Sequence, residues 1–151
     1  MTEKPERAAP PVEILLVEDN LGDARLTREA LKEGKVYNTL HWVKDGVEAL
    51  DFLRKRGKHT DVPRPDIILL DLNLPKKDGR EVLQEIKSDE HLKRIPVVIL
   101  TTSKAEEDVL KTYSLHANCY VTKPVDLEQF IKVVQSIDNF WLTVVTLPNG
   151  K

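Results

Sequence analysis

The residues of this chain with the most chemical reach stand at the ends of short apolar runs. Glu18 and Asp19 follow VEILLV (Val12–Val17), and Asp71 closes the apolar stretch of IILLDL (Ile67–Leu72). Thr101 and Thr102 follow VVIL (Val97–Leu100), and Lys123, ahead of Pro124, lies just past CYV (Cys119–Val121). If these runs are parallel strands, their ends share one rim and the three carboxylates meet there. Acids gathered at one point repel each other, and such a cluster is stable only when protons or a cation neutralise it. Hard oxygen donors without histidine or cysteine favour Mg2+, which takes one or two carboxylates and completes its shell with water and phosphate oxygens. A lysine adds a fixed positive charge and a threonine hydroxyl adds a donor. Together they suit a phosphoryl group held by electrostatic positioning.

Each residue taken singly has a plainer reading. Glu18 and Asp19 could cap a following helix through Asn20, Lys123 could be a solvated loop residue, and Thr101 a satisfied strand residue. Asp71 differs, because a carboxylate at the end of an apolar run is costly if buried without a partner. The joint placement on successive run ends is what the plainer readings leave unexplained.

The elements that must position these residues are legible in the same pattern. A fifth apolar run, TLHWV (Thr39–Val43), joins the four above. The runs lack strict alternation, which suits strands covered on both faces, and the stretches between them carry helical spacing. Five strand–helix repeats with right-handed crossovers predict an open doubly wound α/β fold with a five-stranded parallel sheet and five helices. Ligands of such folds bind outside the carboxyl ends of the strands at the switch point. Capping signals mark the third helix at Asp78 and Gly79, the fourth at Ser103 with Glu106, and the fifth at Asp126 with Gln129. Gly34 marks the end of the first helix, and Arg56–Arg64, with Gly57 and Pro63, reads as a polar loop.

Composition sets the outer limits. The 151 residues suffice for one domain. Residues 1–11, with three prolines, read as a flexible leader, 12–141 as the domain and 142–151 as a C-terminal extension. There is no apolar run of the roughly 18 residues that a membrane span needs. Lysine plus arginine total 23 against 25 acids, which gives no footprint for nucleic acid. The short basic run Arg54, Lys55, Arg56 and Lys58 is expected at a helix carboxyl end, where cations complement the dipole. His41, His59 and His91 are scattered along the chain, and neither a G-x-G-x-x-G nor a Walker loop follows the first strand. With a single cysteine, Cys119, and no apolar leader, the expected location is cytoplasmic.

Over residues 12–141 the chain resembles the receiver domain of two-component response regulators. The resemblance rests on Glu18-Asp19, on Asp71-Leu72-Asn73-Leu74-Pro75-Lys76-Lys77-Asp78-Gly79, and on Thr101, Tyr120 and Lys123-Pro124, in family order and spacing. Within the family it is similar to the small regulators paired with cyanobacterial phytochrome histidine kinases. TTSKAEEDVLKTY, NCYVTKPVDLEQFIKVVQSIDNFWL and the long loop before the third strand carry that likeness. The resemblance implies a flavodoxin-like receiver fold in which Asp71 accepts a phosphoryl group from a sensor histidine kinase. It implies Mg2+ bound by Asp19, Asp71 and the backbone carbonyl of Asn73, with Glu18 holding it through water. Lys123 would contact a phosphoryl oxygen. Thr101 and Tyr120 would act as the switch, with the fourth helix, fifth strand and fifth helix as the readout face. Asn73 and Ser103 occupy the family's positions for tuning hydrolysis. The protein would signal by protein contact, assisting its own phosphorylation and dephosphorylation without being an enzyme in its own right. Glu18 departs from the aspartate often found first in the acidic pair, and His116 stands where the family often has glycine. The alternatives are a magnesium-dependent phosphohydrolase with an aspartyl-phosphate intermediate and a binding module that is never phosphorylated. Against the first, Asn73 stands where that chemistry places a second acid.

The last helix carries more apolar surface than one sheet face requires. Leu127, Phe130, Ile131, Val133, Val134, Ile137, Phe140 and Trp141 span an arc of about 180°, against roughly 100° for an ordinary core-facing stripe. With the β-prone segment LTVVTL (Leu142–Leu147) behind them, these residues predict a homodimer through Phe130, Phe140 and Trp141. The alternative is a tail folded back over its own sheet edge.

Overall fold

The computed structural model describes residues 11–32, 37–111 and 119–135. Strands β1 (Val12–Val17), β2 (Asn38–Val43), β3 (Ile67–Asp71), β4 (Val97–Thr101) and β5 (Cys119–Thr122) alternate with five helices. These are α1 (Leu21–Leu31), α2 (Gly46–Leu53), α3 (Gly79–Ser88), α4 (Lys104–Lys111) and α5 (Leu127–Gln135). The sheet runs in the order β2-β1-β3-β4-β5, and every neighbouring pair is parallel.

The unbroken apolar character of the central strands follows from two cores, one on each face of the sheet. Leu15, Val17, Ile68, Leu70, Val97 and Ile99 point toward Leu50, Phe52, Val82 and Ile86 of α2 and α3. The residues between them, Ile14, Leu16, Ile67, Leu69, Val98 and Leu100, meet Ala24 and Leu31 of α1 and Phe130 of α5. Successive side chains on a strand face opposite ways, so both registers must be apolar when both faces are covered. The edge strand β2 is correspondingly wetter, with only Val43 of its residues fully buried.

The helix ends follow the capping signals, with one difference. Asp78 and Glu81 form a reciprocal capping box on α3, and Asp126 Oδ1 accepts the Gln129 amide at 2.7 Å. At α4, Ser103 Oγ accepts from the Glu106 amide at 3.1 Å. The Glu106 carboxylate, however, reaches back to the amide of Thr102, at 2.7 Å. Helix α1 closes at Leu31 with Lys32 as its cap; Gly34 lies outside the described residues. The Arg56–Arg64 loop contains a single 3-10 turn at Gly57–His59. The basic run does lie at the carboxyl end of α2, and acids occupy much of it: Arg54 meets Glu85 and Asp89, Arg56 meets Asp51, and Lys58 meets Glu48.

One expectation is corrected here. Phe130, taken as an interface residue, is 0% exposed and sits in the core beneath α5. Ile131 and Val133 pack against the same cluster. The wide apolar arc is thus spent in part on the protein's own sheet, because α5 packs on β5 and its side chains join a cluster that also draws on β4. Phe140, Trp141, the 142–151 extension, residues 1–10 of the leader and His116 lie outside the described residues. No helix among the described residues is long and apolar enough to cross a membrane.

Candidate functional site

Because all five strands are parallel, their carboxyl ends form one rim, and the chain reverses its direction of winding between β1 and β3. Such a fold opens a crevice at that switch point. Glu18 and Asp19 leave the end of β1 on one side of it, and Asp71 ends β3 on the other. Lys123 follows β5, its amide tied to the carbonyl of Thr101 at the end of β4 at 2.7 Å. The Lys123–Pro124 peptide bond is cis.

Glu18, Asp19 and Asp71 bring carboxylate oxygens within 4.8 Å of one another. Glu18 and Asp71 are buried, at 1% and 5% exposure, whereas Asp19 is exposed. The Lys123 ammonium donates to Glu18 Oε1 at 3.0 Å and to Asp71 Oδ2 at 2.9 Å. It also donates to Asp23 Oδ2 at 2.9 Å, on the first turn of α1. Three carboxylates thus bond to one ammonium, and Asp19 adds a fourth within reach of Glu18 and Asp71. Burial, reinforced by the charge of Asp71, pushes the Glu18 carboxyl up to about 7, against the pull of Lys123 and the Asn20 amide. Burial alone would lower Lys123, but its hydrogen bonds to Asp71, Asp23 and Glu18 outweigh this and raise it above its ordinary value. The rim therefore has room for a second cation, and an all-oxygen donor set suits a hard divalent one.

The loop after β3 holds Asp71 in orientation. Asp71 Oδ1 accepts the Asn73 amide at 2.9 Å, and the Leu72 carbonyl accepts the amides of Gly79 and Leu74 at 2.9 and 3.1 Å. Gly79 permits this close return. A Cβ at that position would lie 2.4 Å from Leu72 Cα and 2.6 Å from the Asp71 carbonyl oxygen, both backbone atoms. Asn73 itself is exposed.

The structure brings Glu18, Asp19, Asp71 and Lys123 together. Thr101 stands on the adjacent strand with its hydroxyl buried and donating to the Val121 carbonyl at 3.3 Å. Tyr120 is half-buried against the core shared with α2 and α3. Asp23 is the participant that sequence reasoning missed. Its signal was its place four residues after Asp19, where a helix capped at Asn20 turns its first acid back toward the strand ends.

The description "Response regulator receiver domain" matches residues 14–135. The response regulator Rcp1 of Synechocystis sp. is 54% identical over 143 residues, covering 95% of this chain and 97% of the relative. The Mn2+-bound crystal structure of Rcp1 superposes with a TM-score of 0.70 at 55% identity, over 91% of this chain and 99% of the other. The phosphorylated cyanobacterial phytochrome response regulator RcpA gives 0.71 at 54% identity, over 93% of this chain and 100% of that one. The bacteriophytochrome response regulator AtBRR gives 0.82 at 43% identity, over 93% and 100%. Strand order, the acidic rim with its lysine, and these likenesses agree, and the chain belongs to the response regulator receiver domain family.

Proposed function

We propose that Asp71 accepts a phosphoryl group from a phosphohistidine of a sensor histidine kinase, and that the protein then signals through contact with other proteins. The observation that carries this reading is the buried Asp71 carboxylate at a strand end, oriented by the Asn73 amide through one oxygen and by Lys123 through the other. In the transfer, an Asp71 oxygen bonds to phosphorus as the phosphorus–nitrogen bond of the phosphohistidine breaks. The product is an acyl phosphate and a free imidazole. Asp19, Asp71 and the Asn73 carbonyl would hold Mg2+ directly, with Glu18 acting through water. When bound, the metal supplies positive charge to the phosphoryl oxygens. Lys123 follows the new charge onto a phosphoryl oxygen. Thr101 exchanges the Val121 carbonyl for another, and Tyr120 turns inward behind it.

Likeness to RcpA and AtBRR supports a phytochrome-type kinase as the donor, and a cytoplasmic setting goes with such a partner. A homodimer built from the end of α5 and the segment after it belongs to the same reading. The phosphohydrolase alternative is disfavoured by Asn73, which offers no acid for a leaving group.

Incubation of the protein with Mg2+ and acetyl phosphate is expected to add one phosphoryl group, read by intact mass. Asp71→Asn should remain unlabelled. A substituted protein that is still labelled would show that Asp71 is not the acceptor.

A further inference from the structure

β1 runs out at Glu18. The Glu18 amide still donates to the Val43 carbonyl of β2 at 3.1 Å. Beyond Val43, β2 leaves the sheet through Lys44 to Asp45, which caps α2. The next hydrogen bond up the ladder comes from a side chain: the indole N–H of Trp42 donates to the Glu18 carbonyl at 2.7 Å. Trp42 lies opposite Leu16 in the β1–β2 register and packs, partly buried, against the cluster shared with Leu16 and Ala24. Lys44 Nζ lies 5.4 Å from the centre of its ring, within the range of a cation–π contact that holds the indole in place.

The two peptides that flank Asp19 are consequently each held at one point. Trp42 holds the carbonyl of the Glu18–Asp19 peptide, and the Glu18 carboxylate Oε2 accepts the Asn20 amide of the Asp19–Asn20 peptide at 3.1 Å. Asp19 lies between these peptides and is exposed, so the direction of its carboxylate is set chiefly by the backbone that carries it. We infer that Trp42 is a positioning residue for the acidic pair: its indole N–H holds the Glu18–Asp19 peptide in the orientation that binds the divalent cation. This inference rests on the reading above, in which Asp19 and Asp71 hold Mg2+. Trp42 acts only through the backbone of Glu18.

The test compares the full chain with Trp42→Phe, which keeps an aromatic ring against the core and removes the N–H together with part of the indole's packing, the part that the control measures. Leu40→Ala serves as the control, since Leu40 packs against the same cluster from the same strand. Loss of one partly buried neutral hydrogen bond predicts Mg2+ binding by Trp42→Phe roughly three- to ten-fold weaker in calorimetric titration. Leu40→Ala should bind within about two-fold of wild type, because its loss is confined to packing, while its Tm falls at least as far. Labelling by acetyl phosphate in Trp42→Phe should return to the wild-type rate at saturating Mg2+, with the half-saturating Mg2+ concentration raised in step with the Kd. Trp42→Phe binding like wild type, or Leu40→Ala weakened as much as Trp42→Phe, would overturn the inference. A wild-type protein that binds no Mg2+ overturns it together with the metal reading. A protein that binds Mg2+ but is never labelled overturns the phosphoacceptor reading alone, because the Trp42 comparison is read from affinity.

Discussion

Glu18 combines almost complete burial with a carboxyl raised from 4.5 to about 7, first by that burial and then by the charge of Asp71. A group whose folded value lies above its unfolded one favours the fold in its protonated state. Its contribution is fully present below about pH 4.5 and is lost as pH rises through 7, a difference on the order of 3 kcal/mol. Glu85, which the Lys77 ammonium holds below its ordinary value of 4.5, acts in the opposite sense and in a separate window, losing its contribution as pH falls below that value. Metal-free wild type should therefore lose stability between pH 4.5 and 8 relative to Glu18→Gln, in urea unfolding followed across that range. Parallel curves for the two proteins would mean that Glu18 ionises normally. At this scale Asp71 and Lys123 were legible because each stands beside an apolar run. Asp23 was harder to read: its place after the Asn20 cap was a signal, but its partner is a lysine one hundred positions away that only the fold brings near.

Among the elements, the βα repeats were readable because strands covered on both faces need apolar side chains in both registers, and β1, β3 and β4 carry them. The start of α3 was readable for a different reason: Asp78 and Glu81 satisfy each other's amides. What could not be read was how closely α3 returns to β3. That return depends on Gly79, whose missing Cβ leaves room for the backbone of Asp71 and Leu72. Gly79→Ala is expected to cost roughly 2–4 kcal/mol, although alanine favours helices, because a contact of 2.4 Å with a backbone Cα cannot be relieved by a side-chain rotation. Equilibrium unfolding measures this. A change below about 1 kcal/mol, the size of an ordinary helix-propensity effect, would show that α3 can shift away from β3 without loss.

For the whole molecule, the apolar arc of α5 was the feature most open to misreading, because its width says how much surface seeks cover and not which surface provides it. Phe130 proved to be core, and Ile131 and Val133 lean on the same cluster. The proposed interface with a second copy then rests on Phe140, Trp141 and the LTVVTL segment. This division makes two substitutions of the same type behave differently. Phe130→Asp buries an unpaired charge in the core and should unfold the protein, a cost well above the few kcal/mol that a buried unpartnered polar group carries. Phe140→Asp should leave the fold intact and shift a homodimer toward monomer. Since α5 follows the strand that carries Tyr120, phosphorylation at Asp71 should also move the dimer equilibrium, by as much as the two switch states differ in their affinity for a second copy. Sedimentation of wild type and Phe140→Asp, each with and without acetyl phosphate and Mg2+, reads both effects. A wild type that remains monomeric at high concentration in both states would end the dimer proposal and leave the folded-back tail as the cover for this surface.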